Sequence, residues 1–333
     1  MKKFIYIFFA SILLKNVQAQ DVQYSMPHMM PVYLNPAMTG FFDGTVRVGA
    51  IYRNQWFYQP YGTGKGYQTI GAFADVSILK EKLKGDYIGI GVNLNYDKAG
   101  TLGLTNTDAV LNLAYSKSFG RRTKHSLALG LQGEMTMRSF SSKSGSFSDG
   151  IIENLGKQVM QFDAGVGLRY HVIVNDKYNL YAGFAYTHIL SPNISFLGGT
   201  DKLGQKMMGS FGAQISINDK FNISPSAVVA YQKSYLNILP GVTAQYLFPS
   251  KSYSTQNSFS FGCNFRFTKP LPDAVIPTVK LDVYNLTIAL AYDITVSEFN
   301  RANKSVGAIE VGLQYIIKTK KNERGEKTNC PKF

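Results

Sequence analysis

Residues Asp86 to Asp97 read Asp-Tyr-Ile-Gly-Ile-Gly-Val-Asn-Leu-Asn-Tyr-Asp. In a strand, successive side chains point to opposite faces, so Ile88, Ile90, Val92, Leu94 and Tyr96 share one face, while Tyr87, Gly89, Gly91, Asn93, Asn95 and Asp97 share the other. Two architectures use such a pattern. A soluble sandwich buries the aliphatic face, whereas a transmembrane barrel turns it to lipid and keeps the small polar face for its lumen.

The same alternation recurs outward in both directions. Thr45 to Trp56 sets Val46, Val48, Ala50 and Tyr52 against Arg47, Gly49, Ile51 and Arg53, and two arginines on one face require water or partners, which a lumen supplies. Tyr67 to Val76, Thr105 to Tyr115, Leu127 to Met137 and Phe162 to Val172 repeat it, the last placing Asp163, Gly165, Gly167, Arg169 and His171 opposite Phe162, Val166, Leu168 and Tyr170. Further segments are Leu180 to His188, Met207 to Ile217, Phe221 to Tyr231, Ile238 to Phe248, Phe259 to Phe267, Val275 to Leu281, Leu286 to Ile294 and Gly307 to Ile317. The expectation is an all-β antiparallel barrel of about fourteen strands over residues 45–317, an even number as single-chain barrels require. Phe221 to Tyr231 and Val275 to Leu281 are the weakest strands, since each contains a proline, Pro225 and Pro277.

Composition favours the membrane reading. The 333 residues include 31 glycines, 21 tyrosines and 22 phenylalanines against one tryptophan, and only 17% are charged. The chain lacks the run of roughly 20 apolar residues that a helical span needs. Met1 to Ala19 reads as a signal peptide, with Lys2 and Lys3, an apolar core from Phe4 to Leu14, and Val17-Gln18-Ala19 before the cleavage point. An exported chain of alternating segments points to the outer membrane, where strands close every backbone hydrogen bond between themselves. Residues 20–44 do not alternate, and Pro27, Pro31, Pro36, Gly40 and Gly44 punctuate them, so they form a lead or plug segment. Residues 318–333 form a basic tail.

With the amino terminus periplasmic, tight turns such as Gly120 to Lys124 and Tyr284-Asn285 fall on one side. The long stretches Ser139 to Val159, Leu190 to Gln205 and Thr295 to Val306 fall on the other, the asymmetry of outer-membrane barrels, which places both termini in the periplasm. The long loops form a platform for a protein partner, with Phe140 and Phe147 as aromatic anchors.

A net charge of +14 raises nucleic acid as a partner, but the basic residues gather in turns (Lys80, Lys82, Lys84, Arg121, Arg122, Lys124), in the tail and singly on lumen faces. Outer-membrane lipid headgroups fit this distribution, and nucleic acid does not. Lumen arginines would bias an open pore toward anions. Catalytic patterns are absent: the four histidines are scattered, His188 beside Ser191 reads as an interfacial histidine and a loop serine, and Gly62-Thr63-Gly64-Lys65-Gly66 lacks phosphate-loop spacing. No enzyme, cofactor or metal is expected. Cys263, on a face of phenylalanines, and Cys330, in the tail, read as unpaired thiols.

Gln20-Asp21-Val22-Gln23-Tyr24-Ser25, then Tyr33-Leu34-Asn35-Pro36-Ala37-Met38-Thr39-Gly40 and Tyr52-Arg53-Asn54-Gln55-Trp56, together resemble the PorP/SprF family of Bacteroidetes type IX secretion system membrane proteins. Leu290-Ala291-Tyr292-Asp293-Ile294-Thr295 and Gly307-Ala308-Ile309-Glu310 resemble the family's closing hairpin. The chain departs at Met30-Pro31, where the family pattern leads one to expect Asn-Pro. The resemblance implies a non-enzymatic outer-membrane barrel of the secretion and gliding machinery. Its partners would be other secretion-system proteins or the carboxyl-terminal domain of a secreted adhesin.

The alternative is a fatty-acid-transporter-like barrel of fourteen strands, whose amino-terminal hatch also carries Asn-Pro-Ala. For the motif residues, Arg53 is expected to pair with the plug or with Asp75 on the adjacent strand, and Trp56 to anchor the membrane interface. Glu310, Gly312, Tyr315 and Ile317 resemble the assembly signal of a last barrel strand.

Overall fold

The computed structural model describes residues 21–318 except 58–65, 81–82, 84, 101–102, 121–123, 141–157, 176, 197–198, 250–256, 269–270, 299 and 301–303. Fourteen strands form one closed antiparallel barrel in which each pairs with its neighbours in sequence and the last pairs with the first. They are β1 (Val46–Gln55), β2 (Tyr67–Ile78), β3 (Tyr87–Ala99), β4 (Leu104–Phe119), β5 (His125–Phe140), β6 (Val159–Ile173) and β7 (Tyr178–Thr187). The second half comprises β8 (Lys206–Ser216), β9 (Phe221–Gln232), β10 (Tyr235–Leu247), β11 (Ser258–Thr268), β12 (Leu271–Val283), β13 (Leu286–Thr295) and β14 (Val306–Ile317).

The faces divide as the alternation requires. On β3, Ile90, Val92, Leu94 and Tyr96 are exposed on the outer wall, while Asn93 and Asn95 are buried within. Closure leaves no free edge, so the backbone is satisfied without water, which is the condition for crossing lipid on strands. Both weak strands form, and each is longer than expected. Their prolines mark where pairing is interrupted: the β12–β13 register skips Ile276 and Pro277, and the β8–β9 register skips Ser224 and Pro225. A proline has no N–H to give the ladder. Cys263 faces outward as a free thiol, and Cys330 lies outside the described residues.

Antiparallel closure gives the barrel two mouths. The turn mouth carries the start of β1 and the end of β14. The loop mouth carries the connections leaving β1, β3, β5 and β7, among them 141–158 and 188–205.

The lead has no strand. Pro27, Pro31 and Pro36 each open a short helical turn, Pro27–Met29, α1 (Pro31–Leu34) and Pro36–Met38, since a proline at the first helical position loses no bond and arrives with its φ already set. Met30, Val32, Leu34 and Ala37 on these turns are almost wholly buried inside the barrel.

The direction of the lead is a finding of the tertiary structure. Asp21 contacts Lys206 at the start of β8 and Gln232 at the end of β9, both at the loop mouth. Gly40 donates its N–H to Asp75 at 2.7 Å, and Lys80 reaches the Phe42 carbonyl, both at the turn mouth. The lead therefore descends the full lumen before β1 climbs back. The expectation that both ends of the mature chain share one side is not met by the described residues, since Asp21 lies at the loop mouth and Lys318, paired with Asp43 at 2.9 Å, lies at the turn mouth.

Candidate functional site: the lead and the loop-mouth vestibule

Four strands and the lead converge on Ser25. The carboxylate of Glu310 on β14 accepts the backbone N–H groups of Ser25 at 2.8 Å and Met26 at 2.6 Å. The Ser25 hydroxyl donates to Asp293 on β13 at 2.5 Å and accepts from Arg53 on β1 and from Arg266 on β11. Ion pairs complete the cluster: Arg53 to Asp293 at 2.9 Å and to Glu310 at 3.2 Å, and Arg266 to Asp293 at 2.8 Å. All four charged side chains are buried, two cations against two anions, and each is hydrogen-bonded, the condition under which buried charge is tolerated. Two register shifts, between Arg266 and Phe267 and between Asp293 and Ile294, sit beside the charged residues, and such bulges re-aim side chains.

Of the sequence expectations for Arg53, the plug is the partner and Asp75 is not. Asp75 is taken by Arg47, with contacts at 2.8 and 2.9 Å. Arg47, Arg53 and Arg266 are each paired with a carboxylate, whereas Arg138 and Arg169 are hydrogen-bonded to neutral groups.

A latch holds the beginning of the lead. The Asp21 carboxylate lies 2.8 Å from His188 Nε2 and accepts from Lys206 at 3.0 Å, while His188 Nδ1 faces Asp163 at 3.0 Å. Burial acts to raise the Asp21 carboxyl, but His188 and Lys206 outweigh it and hold the group well below the usual range. Burial likewise works against the His188 imidazolium, yet Asp21, Asp163 and Glu134 push its pKa up to about 10. The residue is not interfacial. Ser191 donates its hydroxyl to the carbonyl of His188 itself, so the two form no nucleophile–base pair.

The lower part of the lead is held through Asn35-Pro36-Ala37. Asn35 Oδ1 accepts the Ala37 N–H at 2.8 Å, and its Nδ2 donates to the carbonyls of Leu168 and Phe184. Arg169, fully buried on β6, donates to the Ala37 carbonyl and to the hydroxyls of Tyr87, Ser116 and Ser126, and its guanidinium lies 3.6 Å from the Phe41 ring centroid. Gly130 and Gly167 stand where any Cβ would strike the Asn35–Ala37 segment, which explains glycine on these lumen faces.

Above Ser25 opens a vestibule of about 720 Å³ at the loop mouth, lined by Asp21, Val22 and Gln23 of the lead and by Trp56, Arg138 and Phe196 among others. Gln23 accepts from Tyr235 and Asn237, and Gln55 from Arg53. Trp56 is not a lipid anchor. It follows β1 with φ 53°, packs edge-on to Tyr67, lines the vestibule and donates its backbone N–H to the Gly307 carbonyl at 2.7 Å. Leu34 is buried in the lead, and Tyr52 lies on the outer wall.

Phe140 packs against Phe196 with ring centroids 4.5 Å apart, whereas Phe147 lies outside the described residues. Within the assembly motif, Tyr315 and Ile317 face outward, Gly312 packs on Met29, and Glu310 binds the lead. Sequence reasoning passed over Arg266, although a lone arginine between Phe265 and Phe267 is a lumen position by alternation. It also gave Lys206 no role, because nothing local names its partner.

The arrangement fastens a plug across the seam between the first and last strands. The family model for the type IX secretion system membrane protein PorP/SprF matches residues 16–315. The chain belongs to this family. PorP/SprF identity and the closed barrel together make it an outer-membrane protein of the type IX secretion system. In PorP/SprF terms, the motif residues at the two chain ends, Ser25 and Arg53 with Asp293 and Glu310, are one spatial cluster.

A comparison with curated protein sequences gives no match. Among solved structures, the toluene transporter TbuX of Ralstonia pickettii is similar over 87% of this chain and 93% of its own, at 12% identity and a TM-score of 0.50. The CymD monoaromatic hydrocarbon channel (12% identity, 90% and 95% covered, TM-score 0.49) and a FadL homologue of Pseudomonas aeruginosa (13%, 84% and 92%, 0.44) are more distant in shape. At such identities only the first likeness bears on this chain, and it bears on fold alone.

Proposed function

We propose that this PorP/SprF barrel is a docking platform in the outer membrane. Its loop mouth faces outward and holds a protein partner, either another secretion-system component or the carboxyl-terminal domain of a secreted adhesin. The observation that carries this reading is the plugged lumen beneath an open vestibule: the lead is bonded to strands on both sides of the seam, while the mouth above it presents a concave surface. Binding surfaces concentrate on loops and rims that a rigid scaffold holds in place. Tyr315, Ile317 and Gly312 serve insertion, with Glu310 adding the bond to the lead.

Deleting residues 141–154, which lie outside the described residues, is expected to release the partner into the medium while the barrel still inserts. Unchanged surface retention would refute the platform. A transporter reading draws on the apolar space between lead and wall, lined by Val22, Tyr24, Tyr33, Met208, Val228 and Leu239. Saturable binding of a hydrophobic ligand by the purified barrel without any protein partner would favour it.

A further inference from the structure

We infer that the beginning of the lead is displayed on the outer face of the membrane, as part of the surface the partner meets. The inference rests on the outward orientation proposed above and adds to it the position of the chain's own amino-terminal segment.

Independent contacts place Asp21 to Gln23 at the loop mouth. Asp21 is held by His188 just after β7, by Lys206 at the start of β8 and by Gln232 at the end of β9. Gln23 is held by Tyr235 and Asn237 at the start of β10. The Val22 carbonyl accepts from the Tyr33 hydroxyl at 2.7 Å, which ties the beginning of the lead to α1. At the other end, the contacts of Gly40 with Asp75 and of Phe42 with Lys80 exclude the reverse threading. Asp21, Val22 and Gln23 line the vestibule beside Ile194, Phe196 and Asp201 of connection 188–205. A polypeptide entering the vestibule therefore touches the plug, and displacing Asp21 would take from Lys206 its carboxylate partner and leave His188 with Asp163 and Glu134.

A cleavage after Ala19 would occur before the barrel is built, so the freed segment must cross the lumen as the strands close. Ser25, bonded to both β1 and β14, is placed for the seam to close around it.

The test uses the full chain in its own outer membrane, with one epitope inserted directly before Asp21, after Asp201 or after Asp219, and antibody staining of intact and permeabilised cells. The expected result is staining of intact cells for the first two and, for the third, only after permeabilisation. Staining before Asp21 that follows the Asp219 pattern, with Asp201 stained on intact cells, overturns the display and leaves the outward orientation standing. Staining of intact cells at Asp219 alone overturns the orientation and the display together.

A second measurement does not depend on a tag. In a chain carrying C263S and C330S, a short bifunctional thiol reagent should crosslink the pair D21C and Q232C in membranes, and absence of the crosslink overturns the threading. With the partner present, the epitope before Asp21 should lose its staining; retained staining on partner-loaded cells refutes the contact.

Discussion

Glu310 accepts the backbone N–H of Ser25 at 2.8 Å across 285 positions of sequence. The same carboxylate pairs with Arg53 at 3.2 Å, so one side chain on the last strand binds both the plug and the first strand. The barrel seam and the plug are thus a single electrostatic unit.

Glu310→Ala should therefore loosen both. Removing one partner leaves Arg53 short of counter-charge and two backbone donors unsatisfied, and breaking a buried pair costs about 3–5 kcal/mol. The folded, heat-modifiable species should resist urea less in a gel-shift titration, and protease should cut the lead sooner. A wild-type urea midpoint would show that the cluster is not structural.

Gly130→Val should expel the lead without unmaking the barrel. The added carbons meet Pro36 and Ala37, and overpacking of this kind costs about 1–3 kcal/mol. Proteolysis of the lead should accelerate while the heat-modifiable band persists.

Val92→Arg on β3 should cost about 2–4 kcal/mol if it sits at the bilayer midplane, because that side chain faces lipid. Asn93 is a poor control for it: although it points to the lumen, it is wholly buried opposite Phe73, with no room for an arginine. Ala99→Arg, which opens into the vestibule, is the mild comparison. Equal loss of folded barrel for Val92→Arg and Ala99→Arg would contradict the wall assignment.

The latch should depend on pH. His188 has its pKa raised from 6.5 to about 10 in the folded chain, so its contribution is complete below about 6.5 and is lost as pH rises through 10. Asp21 is depressed, so its contribution is present above 3.8 and falls as pH drops through its lowered value. Trp56, the single tryptophan, lines the vestibule and reports on it by fluorescence. Emission should shift between pH 7 and 10.5, and His188→Gln should abolish the shift.

Truncation after Lys318 should leave a heat-modifiable barrel, since β14 ends at Ile317 and Lys318 keeps its pair with Asp43. Tyr315→Ala should lower the amount inserted. Normal levels for Tyr315→Ala would remove the motif's role in assembly.

Residues 86–97 by themselves determined that a strand exists there and which face is apolar, because the two-residue period is a property of the local backbone. Repeated across the chain, that period carried the strand count and the membrane-facing wall, and even the proline-bearing strands obeyed it. The motif residues at the two ends were visible as motifs, but not as neighbours. Only closure of the ring decided that Arg53 meets Asp293 and Glu310 rather than Asp75, because the pairing of β1 with β14 depends on the register of every strand between them. Only the tertiary structure decided that the lead runs from loop mouth to turn mouth, because its direction is set by contacts such as Asp21 with Lys206 and Gly40 with Asp75, 185 and 35 positions apart, and a segment without periodicity carries no local record of those contacts.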